Sequence, residues 1–439
     1  IQFSSADFAW RWNSRKKDLI RQRRLFDGLF AGNCILAKFQ LVFSKMNEHG
    51  RFQKTHFQLV PLKRQLIQKG QSFTNAPCFY DFYVSKVFPD ILRRESKISR
   101  ALYSVPNRAE ESLFRYCSGF FLREQWRTAD LCLSPLNYEV MELDLANETI
   151  YGMVPARDFG QIESENDIGF GQLRRGYFFL RPNANVRRNL ATSASHPLFD
   201  GKVGHMMASL FDHGTRTFSV TGAHRCFSDQ FSDCSGKTSV CGQSEPFRMS
   251  DASHVAESFF QYYNEEVHEM WRDTKTRILD EEHDFIHLQQ HGMARRENSD
   301  GFISNAVVTS ASAGYLPKFD GGSANKMAKF MTEKVKEHGE KEGFDPMYSY
   351  IIRSCNSKGT AKDENYAALC AGTNTLGRFI NRNRDEIDFN TAHELSCKEY
   401  GDEEVIKSKN QFIHFEATDL WRNNVDFMTQ CFKEFFPTT

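Results

Sequence analysis

The amino-acid sequence predicts an α/β fold. A mixed, mostly parallel sheet flanked by helices is expected, preceded by a basic, mainly helical N-terminal region. After about residue 170, short apolar strand-like runs alternate with amphipathic helical stretches, the signature of a parallel sheet covered by helices. Before it, residues 1–108 carry 20 Lys and Arg against 7 Asp and Glu, although the whole chain is neutral with 56 of each sign. With 439 residues, the chain is too long for one small core, and two regions are expected: 1–170 basic and aromatic-rich, 171–439 the α/β domain.

Composition narrows the class. Hydrophobic residues make up 40% and charged residues 26%, as in ordinary folded proteins. The 40 phenylalanines point to an aromatic-rich core. No run of about 18 apolar residues suggests a membrane span, and a net charge of zero gives no overall attraction to nucleic acid. No nucleic-acid partner is expected. The 11 cysteines include no Cys-x-x-Cys pair, which argues against a zinc ribbon or a thioredoxin-type motif. Cys226, Cys234 and Cys241 surround one polar loop, and Cys355, Cys370 and Cys397 span a second loop-rich region. In an oxidising compartment these would brace the loops as disulfides, and in the cytosol they would be buried thiols. The triplet Asn147-Glu148-Thr149 would suit a secreted protein, and a start at Ile1 fits either a processed precursor or a fragment of a longer chain.

Each element follows from its pattern. Residues 14–31 and 79–98 have helical periodicity, the second broken at Pro89. An aromatic helix from Leu113 to Trp126 precedes a turn at Pro135-Leu136-Asn137. Tyr177–Leu180 and Thr217–Val220 read as buried strands. A helix is expected from about His254 to Leu279, then strands at Asp284–Gln289 and Phe302-Ile303. A helix over Ala324–Glu337 and strands at Tyr348–Ile352 and Gln411–Phe415 complete the alternation.

The chemistry sits where strands stop. His224 follows a strand and the small residues Gly222 and Ala223, with Asp229 five positions on. His291 ends the next strong strand just before Gly292. Zinc accepts imidazole nitrogen and carboxylate oxygen, and a catalytic zinc keeps three protein ligands and one open position. His224, Asp229 and His291 therefore make a complete expected ligand set. His287 shares the face of His291 and is the alternative to it. Glu416 ends the last strand, where a carboxylate can accept a proton from water. Arg225, and Arg378 in the loop that begins at Thr373, could hold a substrate carboxylate through a guanidinium fork. Asp251 or Ser253 is expected to cap the helix that follows, with orientation of a ligand histidine by Asp251 or His254 as the other reading. Ser195-His196-Pro197 and His205 show no readable geometry. No Gly-x-Ser-x-Gly elbow, Walker A loop or dinucleotide fingerprint occurs.

Taken in order, these segments resemble the zinc carboxypeptidase-like superfamily, and within it the poly-γ-glutamate hydrolase branch. The resemblance covers about residues 175–435. It rests on His224 with Asp229, on His291-Gly292, on Asn374-Thr375-Leu376-Gly377-Arg378 and on Phe412-Ile413-His414-Phe415-Glu416. It implies a Zn2+-dependent hydrolase of amide or peptide-type bonds, with Glu416 as general base and an anionic small-molecule or peptide-like substrate held by Arg378, Arg225 and Asn374. The alternative is a non-catalytic protein on the same fold that docks an acidic partner through its basic N-terminal region.

Overall fold

The structure is a computed structural model. It describes residues 37–41, 57–61, 68–73, 103–145, 148–156, 175–197, 199–242, 244–294, 296–297, 303–304, 306–310, 322–342, 352–355, 369–382, 386–399 and 410–439. The helices expected at 14–31 and 79–98 lie outside these residues.

In chain order the elements begin with strands β1 (Ala37–Leu41), β2 (Phe57–Pro61) and β3 (Gln68–Phe73). Helices α1 (Arg108–Leu122) and α2 (Trp126–Leu133) follow. Next come β4 (Tyr138–Leu145), β5 (Glu148–Pro155), β6 (Tyr177–Leu180) and β7 (Arg188–Ala194). Helix α3 (Val203–Asp212), β8 (Thr215–Val220) and α4 (Phe259–Trp271) lead to the hairpin β9 (Lys275–Ile278) and β10 (Glu281–Asp284). Then come β11 (Ile286–Gly292), β12 (Arg296–Glu297), β13 (Ile303–Ser304), β14 (Ala306–Thr309), α5 (Ser323–Glu342) and β15 (Ile352–Arg353). The chain closes with α6 (Thr375–Asn381), α7 (Phe389–Ser396), β16 (Phe412–Ala417), α8 (Asp419–Arg422) and α9 (Val425–Phe435).

Ten strands form one mixed sheet in the order β15-β14-β16-β11-β7-β8-β6-β5-β4-β3. Its centre, β16-β11-β7-β8, is parallel throughout. On one side β6, β5 and β4 continue it antiparallel, and on the other β14 runs against β16. The sheet therefore crosses the boundary expected at residue 170. β4 and β5 form an antiparallel pair, and β4 alternates buried and more exposed positions over most of its length.

Helices cover both faces. On one, α3, α5 and α9 pack against Phe179, Phe218, Ile286, Leu288, Ile413 and Phe415. On the other, α1, α2 and α4 pack against Tyr138, Val140, Phe178 and Phe285. Period-two alternation produces this split: in β6, Tyr177 and Phe179 face one way, Phe178 and Leu180 the other. Each fully buried Phe or Leu contributes about 1.5–3 kcal/mol by leaving water. The same alternation puts His287, Gln289 and His291 of β11 on the face opposite Ile286 and Leu288. His414 and Glu416 of β16 share that face, because Ile413 and Phe415 point the other way. Buried polar side chains in the central strands of a sheet are uncommon without a function.

Among the described residues four disulfides join Cys117–Cys132, Cys226–Cys241, Cys234–Cys397 and Cys355–Cys370, an arrangement that suits an oxidising setting. The two loop clusters of the sequence are thus braced internally and tied to one another by Cys234–Cys397. Cys431 is buried and unbridged. Among the described residues no helix is long and apolar enough to cross a membrane.

Candidate metal centre

The parallel strands end together, and their carboxyl ends carry the polar cluster, as expected for ligand sites in open α/β sheets. β7 stops at Ala194, and the next residues, Ser195 and His196, leave its end. The chain then makes one turn, with Phe199 N and Asp200 N both donating to the carbonyl of His196 at 3.1 and 2.9 Å. That turn sets His196 and Asp200 side by side. In the neighbouring strand β11, His291 stands one residue before the strand ends.

His196, Asp200 and His291 each offer a ligand atom within 4.8 Å of the others, and all three are buried. Asp200 Oδ2 lies 3.5 Å from His196 Nδ1 and 3.5 Å from His291 Nδ1. Neither His196 Nδ1 nor Asp200 Oδ2 has a hydrogen-bond partner, although both are buried. Such orphaned groups cost about 1–3 kcal/mol each unless something satisfies them. A cation between the three would do so, and two imidazoles with one carboxylate are a common donor set for first-row divalent metals.

The outer nitrogens are held by the surrounding groups. His196 Nε2 meets Asp251 Oδ1 at 2.6 Å, and Arg225 closes on Asp251 Oδ2 through Nε at 3.0 Å and Nη2 at 2.7 Å. His291 Nε2 lies 2.9 Å from Gln289 Oε1, 3.2 Å from Ser195 Oγ and 3.3 Å from Ser253 Oγ. A ligand imidazole whose second nitrogen is fixed by a carboxylate or carbonyl is the usual arrangement around a protein metal. Arg422 Nη1 donates to the carbonyl of Asp200. A side chain on Gly292 would come within 2.4 Å of the same Nη1, so glycine there lets Arg422 reach Asp200.

Electrostatics favour ligation at Asp200 and His291. Burial alone would raise the Asp200 carboxyl, but the imidazoles of His196 and His291 hold it well below the usual carboxylate range. Burial likewise opposes ionisation of Asp251, and Arg225, His254 and His196 overcome it. Burial lowers His291 to about 4 despite Asp200, so its ring is neutral at pH 7 with a lone pair to give. Burial and then Arg225 work against charge on His196, yet Asp251 and Asp200 raise its pKa. His414 stacks on His291 with ring centroids 4.4 Å apart and is held neutral by burial and neighbouring imidazoles. Glu416 is the register partner of His291, half-buried, with its Oε1 3.8 Å from His414 Nε2.

Of the three expected ligands, only His291 belongs to this group. Strand order explains the difference. β8, which leads to His224, is separated from β11 by β7, so the two strands lie about 10 Å apart. His224 packs against the Phe199 ring at 5.0 Å, and its Nδ1 accepts from Cys226 N at 3.2 Å. Asp229 is 52% exposed and faces Arg248 at 3.9 Å. The helix expected from about His254 begins at Phe259 and is capped by Ser258, which leaves Asp251 to hold His196. His254 Nδ1 instead meets the carbonyl of Thr373 at 3.0 Å. His287 lies deeper in β11, beside Phe285 and His268.

The three expected substrate-binding residues all make internal contacts. Arg225 engages Asp251. Arg378 is buried and donates to the carbonyl of Gly372 at 2.6 Å and to Ser235 Oγ at 2.8 Å. Asn374 caps α6 through Gly377 N at 2.9 Å, while its Nδ2 donates to Gln289 Oε1. The residues missed in the sequence, His196 and Asp200, follow a strand with one large apolar residue, Leu190, in Arg188-Asn189-Leu190-Ala191-Thr192-Ser193-Ala194. A strand ending at a histidine before a turn was the signal that could have found them.

No protein-family model, curated protein or solved structure matches this chain.

Proposed function

We propose that this chain is a zinc-dependent hydrolase of amide or peptide-type bonds. We place it in the zinc carboxypeptidase-like superfamily, close to the poly-γ-glutamate hydrolase branch. One observation carries the reading. Two buried ligand atoms, His196 Nδ1 and Asp200 Oδ2, have no hydrogen-bond partner and stand with His291 Nδ1 at the carboxyl end of a parallel sheet core. His196, Asp200 and His291 replace the expected set of His224, Asp229 and His291, and keep its chemistry of two imidazoles and one carboxylate.

Zinc, when bound, supplies a Lewis acid for the scissile carbonyl and lowers the pKa of water at the site. The rest falls to the chain's own groups. Glu416, aligned with His291 on the adjacent strand, accepts the proton of the attacking water and returns it to the leaving amine. His414 walls the site with a neutral ring. Asp251 fixes the orientation of His196, and Arg225 keeps Asp251 ionised. The disulfides fit a secreted enzyme working outside the reducing cytosol.

Metal analysis tests the proposal. The purified chain should hold about one zinc per molecule, since a three-ligand site retains its metal. His196→Ala should lose it, and His224→Ala should keep it. Less than about half an equivalent in well-folded protein, or full retention by His196→Ala, would overturn the reading.

A further inference from the structure

We propose that Asn374 is a positioning residue that sets the tautomer of His291 and so decides which ring nitrogen faces a cation. The proposal rests on His196, Asp200 and His291 being metal ligands. It adds a residue two contacts away that sets how one of them is presented.

The chain of constraints begins at the start of α6. Asn374 Oδ1 accepts the backbone N–H of Gly377 at 2.9 Å as the helix N-cap. Turning the amide over would set its NH2 against another donor and lose the cap. Nδ2 is therefore committed to the other side, where it donates to Gln289 Oε1. A carbonyl oxygen can only accept, and at 2.9 Å from His291 Nε2, against 3.5 Å between Nδ1 and Asp200 Oδ2, it is the nearer acceptor, so the proton sits on Nε2. With the proton on Nε2, the lone pair is on Nδ1, the atom 3.5 Å from Asp200 Oδ2. Ser195 and Ser253 also approach Nε2, but a hydroxyl donates or accepts equally and selects neither form. Asn374 and Gln289 are fully buried, so water does not compete for these contacts.

The anchoring of α6 supports this role. Thr375 N donates to the carbonyl of Ser253 at 2.9 Å, which ties the start of the helix to the segment that carries Asp251. Both imidazoles of the site are thus oriented from one joined unit: His196 by Asp251, and His291 by Asn374 through Gln289.

The test is the substitution Asn374→Asp. Aspartate caps a helix as well as asparagine, and at a pH that keeps its carboxyl ionised both its oxygens accept. Gln289 would then have to present its NH2 group to both neighbours, which moves the proton of His291 to Nδ1. The full chain, labelled with 15N in its imidazoles and stripped of metal by a chelator, reports the tautomer through its two-bond 1H–15N correlations. His291→Gln assigns the signals. The expected result is Nε2–H in the wild-type protein and Nδ1–H in Asn374→Asp, with zinc affinity lower by about 10–100-fold in the variant. Gln289→Leu, which removes the fixed acceptor, should show both tautomers and guards against a variant that fails to fold. A wild-type protein with Nδ1–H, an Asn374→Asp protein that keeps Nε2–H, or pure Nε2–H in Gln289→Leu would overturn the proposal, whatever the zinc content. A tautomer switch in a chain that binds no zinc would support the positioning role and remove the metal reading instead.

Discussion

His196 and Asp251 meet through Nε2 and Oδ1 at 2.6 Å, both buried, and Arg225 occupies the other carboxylate oxygen. The pair points His196 Nδ1 toward Asp200. Because Asp251 is held ionised by Arg225 and two imidazoles, it acts as a fixed negative charge behind the ligand ring. Asp251→Asn should preserve much of the shape but remove that charge, lowering zinc affinity by about 10–100-fold. Competition with a chromophoric chelator measures it. An unchanged dissociation constant would show that Asp251 serves the loop and not the ligand.

Gly292 and Arg422 supply a second test. The arginine reaches the carbonyl of Asp200 across the space that a Cβ on residue 292 would fill. Only the flexible end of the side chain stands in the way, so Gly292→Ala should fold. It should displace the guanidinium and lose one charged hydrogen bond, at a cost of about 1.5 kcal/mol. Arg422→Ala should cost a similar amount, and the double variant little more than either. Full additivity in urea unfolding of the four proteins would rule out the contact as the reason for the glycine.

Much of the architecture was legible because it follows from period. Tyr177–Leu180 is an apolar run, and Thr215–Val220, Ile286–Gly292 and Phe412–Ala417 set apolar residues at alternate positions (Phe218 and Val220, Ile286 and Leu288, Ile413 and Phe415); alternation of such strands with helices predicted the parallel centre. The site was half legible. His291 and Glu416 end conspicuous strands and do face the same side in register. His196 and Asp200 were hidden because β7 opens with Arg188 and Asn189 and ends in Ala-Thr-Ser-Ala, which leaves Leu190 as its one large apolar residue and little hydrophobic signal. Strand order, which puts β7 and not β8 next to β11, is a long-range property that local pattern does not contain. Asn374 was singled out from a motif, and its two hydrogen bonds give it a local structural role.

Away from the site, α1, α4 and α7 meet at a buried charge cluster. Arg115 Nη2 lies 2.6 Å from Glu265 Oε2, and His393 Nδ1 lies 2.9 Å from Glu265 Oε1. Burial alone would raise the pKa of Glu265, but His393 and Arg115 bring it below the ordinary value. A carboxyl whose folded pKa is lowered adds stability that is fully present above its unfolded pKa, about 4.3, and lost as pH falls through the folded value. Glu265→Gln should therefore destabilise the protein by about 3 kcal/mol at pH 7, by leaving Arg115 short of a partner. The gap between wild type and variant should narrow below about pH 4. Urea unfolding at pH 7, 5 and 3 checks this, and a gap independent of pH would show that shape rather than charge accounts for it.

Glu416 is the group on which the hydrolase reading depends most directly. It stands in register with His291 on the next strand, half-buried, and beside a neutral His414. Glu416→Gln keeps the size of the side chain and its packing but removes the basic oxygen. None of the proposed ligands is altered, so the variant should bind as much zinc as the wild type. Turnover of an amide substrate, screened with poly-γ-glutamate and a panel of short peptides, should fall by at least about a hundredfold. The KM should change little, because the lost interaction forms only as the proton moves. Equal loss of zinc and activity would instead make Glu416 a fourth ligand. Turnover at the wild-type rate with zinc in place would remove it from the reaction and leave the metal centre without its base.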